Sequence, residues 1–283
     1  MQLGSIALFN RPWERPATGA AYVPRGGDDG ARRLHLLART KWPTTRTLLC
    51  RAGIHRGMHC LDAACSSGEI TLQIARMVAP EGLVVGIDAD ETILWRARAE
   101  AARERLRVRF EPSPAAALDD ESVYDLVYSR CLLSHSPEPE RLIERMVHAA
   151  RPGGTIVVED VDFPAHICHP PSPAFDRYLE LYQALVREMG GDPAIGPRLF
   201  QLLRAAGVEG LHVDVVQPTF LDGEGKRVAQ VTMEHVREAV VQAGLAPYAE
   251  VNAIIIELDE IARDWRTVIS LPRVFQVWGR TPR

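Results

Sequence analysis

Residues 57–90 constrain this chain more than any other stretch. His59–Ala63 reads as a short buried strand, a tight turn follows through Cys65, Ser66 and Ser67, and from Gly68 to Val78 the apolar positions recur at helical intervals. A second apolar run, Leu83-Val84-Val85-Gly86-Ile87, closes on Asp88. An acid roughly 20 residues beyond a turn glycine is where a strand–helix–strand unit sets a carboxylate against a ribose hydroxyl. The turn itself is not built for a pyrophosphate, which needs several glycines at a helix N-terminus. Only Gly68 is present here, and Glu69 puts a negative charge where a phosphate would sit. Such a turn repels a dinucleotide and tolerates a cationic ligand.

Beyond this unit the alternation continues. Strands are predicted at Leu106–Pro112, Leu126–Ser129 and Thr155–Asp160, and helices at Glu91–Arg105 and Glu138–Ala150, with Pro152-Gly153-Gly154 as a stop and turn. Strand–helix alternation implies a doubly wound, mostly parallel α/β sheet covered on both faces, with its chemistry at the carboxyl ends of the strands. Upstream, residues 1–30 read as a loose arm that Trp13 and Tyr22 tuck onto the body. Ala31–Lys41 and Thr44–Ala52 read as two helices broken at Pro43. Downstream, His212–Phe220 and Arg273–Gly279 read as strands. Two helical insertions, 170–208 and 225–268, interrupt the rhythm. The expected division is an arm and cap helix over 1–45, a cofactor-binding core over 46–165, and the rest of the sheet with its insertions over 166–283.

The sequence resembles the class I S-adenosylmethionine-dependent methyltransferases. Their first strand and turn usually run Leu-Asp-x-Gly-Cys-Gly-x-Gly, places filled here by Leu61, Asp62, Ala63, Ala64, Cys65, Ser66, Ser67 and Gly68. The likeness continues through Gly86-Ile87-Asp88, Tyr124-Asp125-Leu126-Val127-Tyr128-Ser129-Arg130 and Arg151-Pro152-Gly153-Gly154-Thr155. It implies a seven-stranded sheet whose last strand runs antiparallel, with the helical insertions rising over the active-site end as a lid. It implies S-adenosylmethionine as cofactor and a small-molecule methyl acceptor at oxygen, nitrogen or carbon. Two of the family's loop glycines are replaced, by Ala64 and Ser66. The alternatives left open are therefore a cofactor-assisted lyase, cyclase or hydroxylating enzyme on the same fold, or a non-catalytic binding protein.

Carried over position by position, the resemblance puts Ala64, Ser66 and Gly68 against the cofactor and Asp88 on its ribose. Ala89 then flanks the adenine, and Ser113 and Pro114 close the third strand beside it. Ser129 and Arg130 lie under the methionine portion. His135, five residues past the fourth-strand motif, is the candidate general base, since imidazole titrates near neutral pH. The segment from Glu159 to Pro170 follows the fifth strand, where acceptor-facing groups belong, so Asp160, Asp162 and His166 are expected at the substrate, with Tyr178 from the first insertion.

Composition narrows the partners. A net charge of −4 gives no electrostatic reason to expect a nucleic acid. The arginines from Arg96 to Arg109 are interleaved with Glu100 and Glu104 at helical spacing, as on a solvated helix face. Five cysteines without a Cys-x-x-Cys pair fit reduced, mostly buried thiols and a cytoplasmic location. His166, Cys168 and His169 are metal-ligand types but share one short loop, so no metal is expected. No apolar run reaches membrane-spanning length, and a homodimer is left open.

Overall fold

A computed structural model describes residues 27–283. The expected arm with Trp13 and Tyr22 lies outside the described residues. In chain order the elements are α1 (Gly27–Arg51), β1 (His59–Ala63), α2 (Glu69–Val78), β2 (Leu83–Asp88), α3 (Glu91–Arg103) and β3 (Val108–Pro112). Then come β4 (Tyr124–Arg130), α4 (Pro139–Ala149), β5 (Ala150–Asp162), β6 (Cys168–His169), α5 (Pro173–Glu188) and α6 (Leu199–Ala205). The chain closes with β7 (Glu209–Val216), β8 (Thr219–Phe220), α7 (Val228–Gln242), α8 (Tyr248–Arg263), β9 (Val268–Ser270) and β10 (Arg273–Arg280).

Seven strands form one sheet in the order β3-β2-β1-β4-β5-β10-β7. β1 pairs in parallel with both β2 and β4, so the winding reverses between β1 and β4. That reversal opens a crevice at the carboxyl ends of those two strands, the position where ligands bind in open α/β sheets. β10 inserts antiparallel between β5 and β7, as expected of the last strand. The central strands are apolar on both faces. Leu61, Val127, Ile156 and Val277 pack toward α4 and α6, while Cys60, Leu126, Tyr128 and Val157 pack toward α1 and α2.

The sequence reading is corrected at three places. Pro43 does not break the N-terminal helix: α1 runs unbroken from Gly27 to Arg51, through the expected arm–core division at residue 45. Proline forfeits one helical hydrogen bond and costs about 3 kcal/mol in a free helix. Here Leu36, Ala38 and Lys41 are buried before it, and Thr45, Leu48 and Leu49 after it, so packing on both sides holds the two halves in line. The stretch 212–220 is not one strand. Pro218 has no N–H to give a ladder, and beyond it β8 leaves the main sheet to join β9 and β6 in a second, three-stranded one. Of the five cysteines only Cys60 and Cys65 are buried; Cys50 is exposed and all five are free thiols.

The two insertions supply α5, α7 and α8, which pack together through an apolar cluster that includes Phe175, Tyr178, Leu181, Met233, Val236 and Val251. Lys226 ties the second insertion together at its base. Its side chain is 1% exposed, and its ammonium donates to the carbonyls of Leu221 (3.3 Å), Asp264 (2.6 Å) and Thr267 (3.0 Å). One buried cation thus ties the start of α7 to the end of α8.

Candidate active site

The turn after β1 keeps the backbone of a glycine loop without its glycines. Ala64 has φ 62°, Ser66 φ 57° and Gly68 φ 74°, three left-handed residues alternating with right-handed or extended ones. An L-residue in that region costs roughly 1–2 kcal/mol, so the surrounding structure enforces the shape. Asp88 is one enforcer: its carboxylate accepts from the Ser66 N–H at 2.8 Å and from the Asp90 N–H at 3.1 Å. Gly68 is glycine for a different reason. A Cβ there would sit 2.6 Å from Ala97 Cβ and 2.6 Å from the Phe110 ring, so the absent side chain is what lets α2 approach α3 and β3.

A cavity opens at the sheet's reversal point, roofed by α1, α5 and α7. Of the residues expected at the cofactor, Ala64, Ser66 and Arg130 line it. Gly68, Asp88, Ala89, Ser113, Pro114 and Ser129 do not. Asp88 is only 3% exposed and is turned onto the loop. Ala89 and Pro114 are exposed at the ends of β2 and β3, and Ser129 is fully buried within β4. His135, the expected base, does line the cavity, on the single helical turn Leu133–His135.

At the acceptor end the four expected residues divide. His166 and Tyr178 line the cavity. Asp160 and Asp162 are spent on the protein itself. Asp160 is 0% exposed and accepts from the N–H groups of Leu133 (2.9 Å), Ser134 (3.1 Å) and Val161 (2.8 Å), which pins the His135 turn to β5. Burial nevertheless pushes its carboxyl above the usual range. Asp162 pairs with Arg273, 2.7 Å away across the β5–β10 ladder.

His166 is held against an aromatic cluster. Phe163 lies 4.5 Å from it edge-on and stacks on Tyr182 at 4.2 Å, while Tyr178 meets Phe163 edge-on at 5.9 Å. His166 Nδ1 is 2.7 Å from the Phe163 carbonyl, so Nδ1 carries the hydrogen and donates it, leaving Nε2 as an acceptor. Burial drives its pKa down to about 4, so the ring is neutral near pH 7. Sequence reasoning missed Lys41, Phe163 and Thr232, which also line the cavity, as do Cys131, from the segment expected beneath the methionine portion, and Tyr182, paired with Tyr178 on one helix face. The signal for Lys41 was present, as a basic residue on the same helical stripe as Leu34, Leu37 and Ala38.

Some polar groups on the wall lack a protein partner among the described residues. Ser66 Oγ and Arg130 Nη1 are both buried without a hydrogen bond among the described residues. Such orphaned groups cost about 1–3 kcal/mol unless something satisfies them. Two acids, Asp62 and Glu69, also line the cavity; Asp62 accepts from the Thr71 hydroxyl at 2.7 Å, and Glu69 lies 2.7 Å from His35 Nδ1. Left-handed backbone, unspent donors and nearby carboxylates together suit a small ligand bearing both cationic and anionic groups. Among the described residues no group of three or more His, Cys, Asp or Glu side chains is placed to hold a metal ion.

The methyltransferase-domain family matches residues 54–181, from the approach to β1 into α5. Over that stretch the chain is similar to methyltransferase domains. An uncharacterised protein of Mycobacterium tuberculosis is 34% identical to the chain over 119 residues, 41% of this chain and 42% of that protein. A demethylmenaquinone methyltransferase of Lactococcus lactis is 28% identical over 134 residues, 47% of this chain and 51% of that one. The chain thus spans about half the length of the curated relatives it matches. Among solved structures, a putative methyltransferase from Bacillus halodurans superposes with a TM-score of 0.57 at 18% identity, over 84% of this chain and 98% of that one. The (4+2)-cyclase SpnF superposes with a TM-score of 0.52 at 20% identity, over 94% and 87%. At such identities the likeness establishes the fold, which the methyltransferase domain shares with a cyclase.

Proposed function

We propose that the protein transfers a methyl group from S-adenosylmethionine to a small organic acceptor bound under α5 and α7. The observation that carries this reading is the turn after β1. It keeps left-handed backbone at Ala64, Ser66 and Gly68 although two of the three are not glycine, and its Ser66 hydroxyl and the nearby Arg130 guanidinium have unspent donors. A loop with no ligand to hold has no reason to bear that strain.

In this reading Ala64 and Ser66 border the methionine portion, with Arg130 Nη1 and Ser66 Oγ available to its carboxylate and Asp62 and Glu69 to its positive charge. Asp88 acts by holding the Ser66 N–H, so its role is to shape the loop as well as to serve a ribose. Ala89, Ser113 and Pro114 border an adenine lying along the strand ends outside the cavity. The cofactor supplies an electrophilic methyl group on a good leaving group. The protein's task is then alignment and exclusion of water, which contributes several kcal/mol. The aromatic wall of Phe163, Tyr178 and Tyr182 provides a dry acceptor chamber, and His135 and His166 are the two imidazoles within it. A cytoplasmic location belongs to the same proposal; no helix among the described residues is long and apolar enough to cross a membrane.

Because the fold also occurs in a cyclase, the test must read transfer itself. Titration with S-adenosylhomocysteine by calorimetry establishes binding. Incubation with methyl-labelled S-adenosylmethionine and a metabolite extract must then release S-adenosylhomocysteine and label a small molecule. Binding without label would move the protein to the cyclase or lyase alternative, and absence of binding would leave a scaffold.

A further inference from the structure

Lys41 is the least satisfied charged group on the cavity wall. It is 5% exposed, and the hydrogen-bond partner of its ammonium is the Cys131 thiol at 3.5 Å. An ammonium has three donors, and a thiol is a weak acceptor. Two helical turns earlier on the same stripe, Arg33 also lines the cavity, with Nε 3.3 Å from the Thr232 hydroxyl and a further hydrogen bond to Tyr182. Among the described residues neither cation has a carboxylate in ion-pair contact. Charge inside a cavity is tolerated only when something opposes it.

No neighbouring carboxylate among the described residues contacts either cation, and in the methyl-transfer reading Asp62 and Glu69 serve the cofactor's positive charge. Glu69 is engaged with His35, Asp62 with Thr71, and Asp162 with Arg273. Arg130 lies in the field of Glu159 and Asp62. Asp160 feels Lys41 at longer range, but its oxygens are occupied by three backbone N–H groups. His166 is neutral, and burial keeps the Tyr178 and Tyr182 hydroxyls protonated. Two positive charges are left facing the acceptor end. S-adenosylmethionine carries a sulfonium, an ammonium and one carboxylate, a net charge of +1, so a loaded cavity is more positive still.

We propose that the acceptor is an organic anion, a carboxylate on a flat apolar body, with the carboxylate held by Lys41 and Arg33 and the body against Phe163, Tyr178 and Tyr182. This rests on the methyl-transfer reading of the cavity and names its substrate class. An anion here also draws the acceptor toward the sulfonium, so one charge serves both binding and approach.

The test compares 4-hydroxybenzoate with its neutral isostere 4-hydroxybenzamide by calorimetry, on the free protein and on protein saturated with S-adenosylhomocysteine. The saturated form has the cofactor's own carboxylate already in place. The expected result is at least tenfold tighter binding of the acid, reduced below threefold in Lys41→Met, with S-adenosylhomocysteine affinity changed less than threefold. Arg33→Gln, at a partly exposed position, makes the same comparison should Lys41→Met fail to fold. Acid and amide indistinguishable on wild type, including no binding of either at millimolar concentration, overturns the proposal. So does a Lys41→Met protein that keeps the acid preference and loses S-adenosylhomocysteine. Wild type that ignores S-adenosylhomocysteine refutes methyl transfer instead, and the comparison on free protein still decides the anion subsite.

Discussion

Ser66 should be a residue that the fold is better off without. Its φ of 57° costs roughly 1–2 kcal/mol for an L-residue, and its buried hydroxyl, with no partner, costs about 1–3 kcal/mol. Glycine removes both penalties and adds about 0.5–1 kcal/mol of unfolded-state freedom. The Ser66 N–H to Asp88 survives the change, because it belongs to the backbone. Ser66→Gly is therefore expected to raise stability by about 1–3 kcal/mol, each worth about 2–4 °C in melting temperature for a chain approaching this size. Ser66→Ala separates the two contributions, since it removes the hydroxyl and keeps the strained Cβ. Urea titration of the three proteins, with slopes compared so that only midpoint shifts are counted, gives both numbers. A Ser66→Gly protein that unfolds at the same or lower urea concentration than wild type refutes the reasoning.

Three further outcomes follow from packing and charge. Gly68→Ala should destabilise by about 2–4 kcal/mol in the same titration, because its Cβ meets Ala97 and Phe110 at 2.6 Å on a backbone already at φ 74°. Lys226→Met should cost about 1–3 kcal/mol by removing the donor from three carbonyls, of which that of Thr267 is buried, and should speed proteolysis within 221–267 before the sheet is cut. His166 sets a pH dependence. Its folded pKa of about 4 lies below the ordinary 6.5, so the unfolded chain binds more protons between those values, and stability is lost as pH falls from 6.5 toward 4. The loss is of order 3 kcal/mol. A His166→Gln protein should show a shallower decline over that window, and an identical decline would remove His166 as its source.

The sheet could be read from the chain because parallel strands buried on both faces write themselves as apolar runs. His59–Ala63 and Leu83–Asp88 were placed to the residue. The turn after β1 was equally recoverable, through Gly68 and the acid at Asp88 that holds it. What escaped was whatever depends on a third element. Whether Pro43 breaks α1 is decided by α2 and α7 packing against it, which the sequence does not show. Asp160 and Asp162 have the right chemistry and the right place along the chain for an acceptor site. Their lone pairs are taken by the His135 turn and by Arg273, partners 27 and 111 residues away in sequence. A sequence names a donor's type and never says whether the donor is already engaged.

The turn after β1 also bears on how such loops are found. At Ala64 and Ser66 a methyl or hydroxymethyl group is accommodated, at a torsional cost and, for Ser66, that of an unpartnered hydroxyl, whereas at Gly68 a single added carbon collides with a neighbouring helix and strand. Exchange at the first two places is therefore graded and survivable; at the third it is abrupt. A search keyed to the letters of the loop will pass over chains like this one, while a search keyed to its dihedral angles, plus one obligatory vacancy facing α3, will retrieve them.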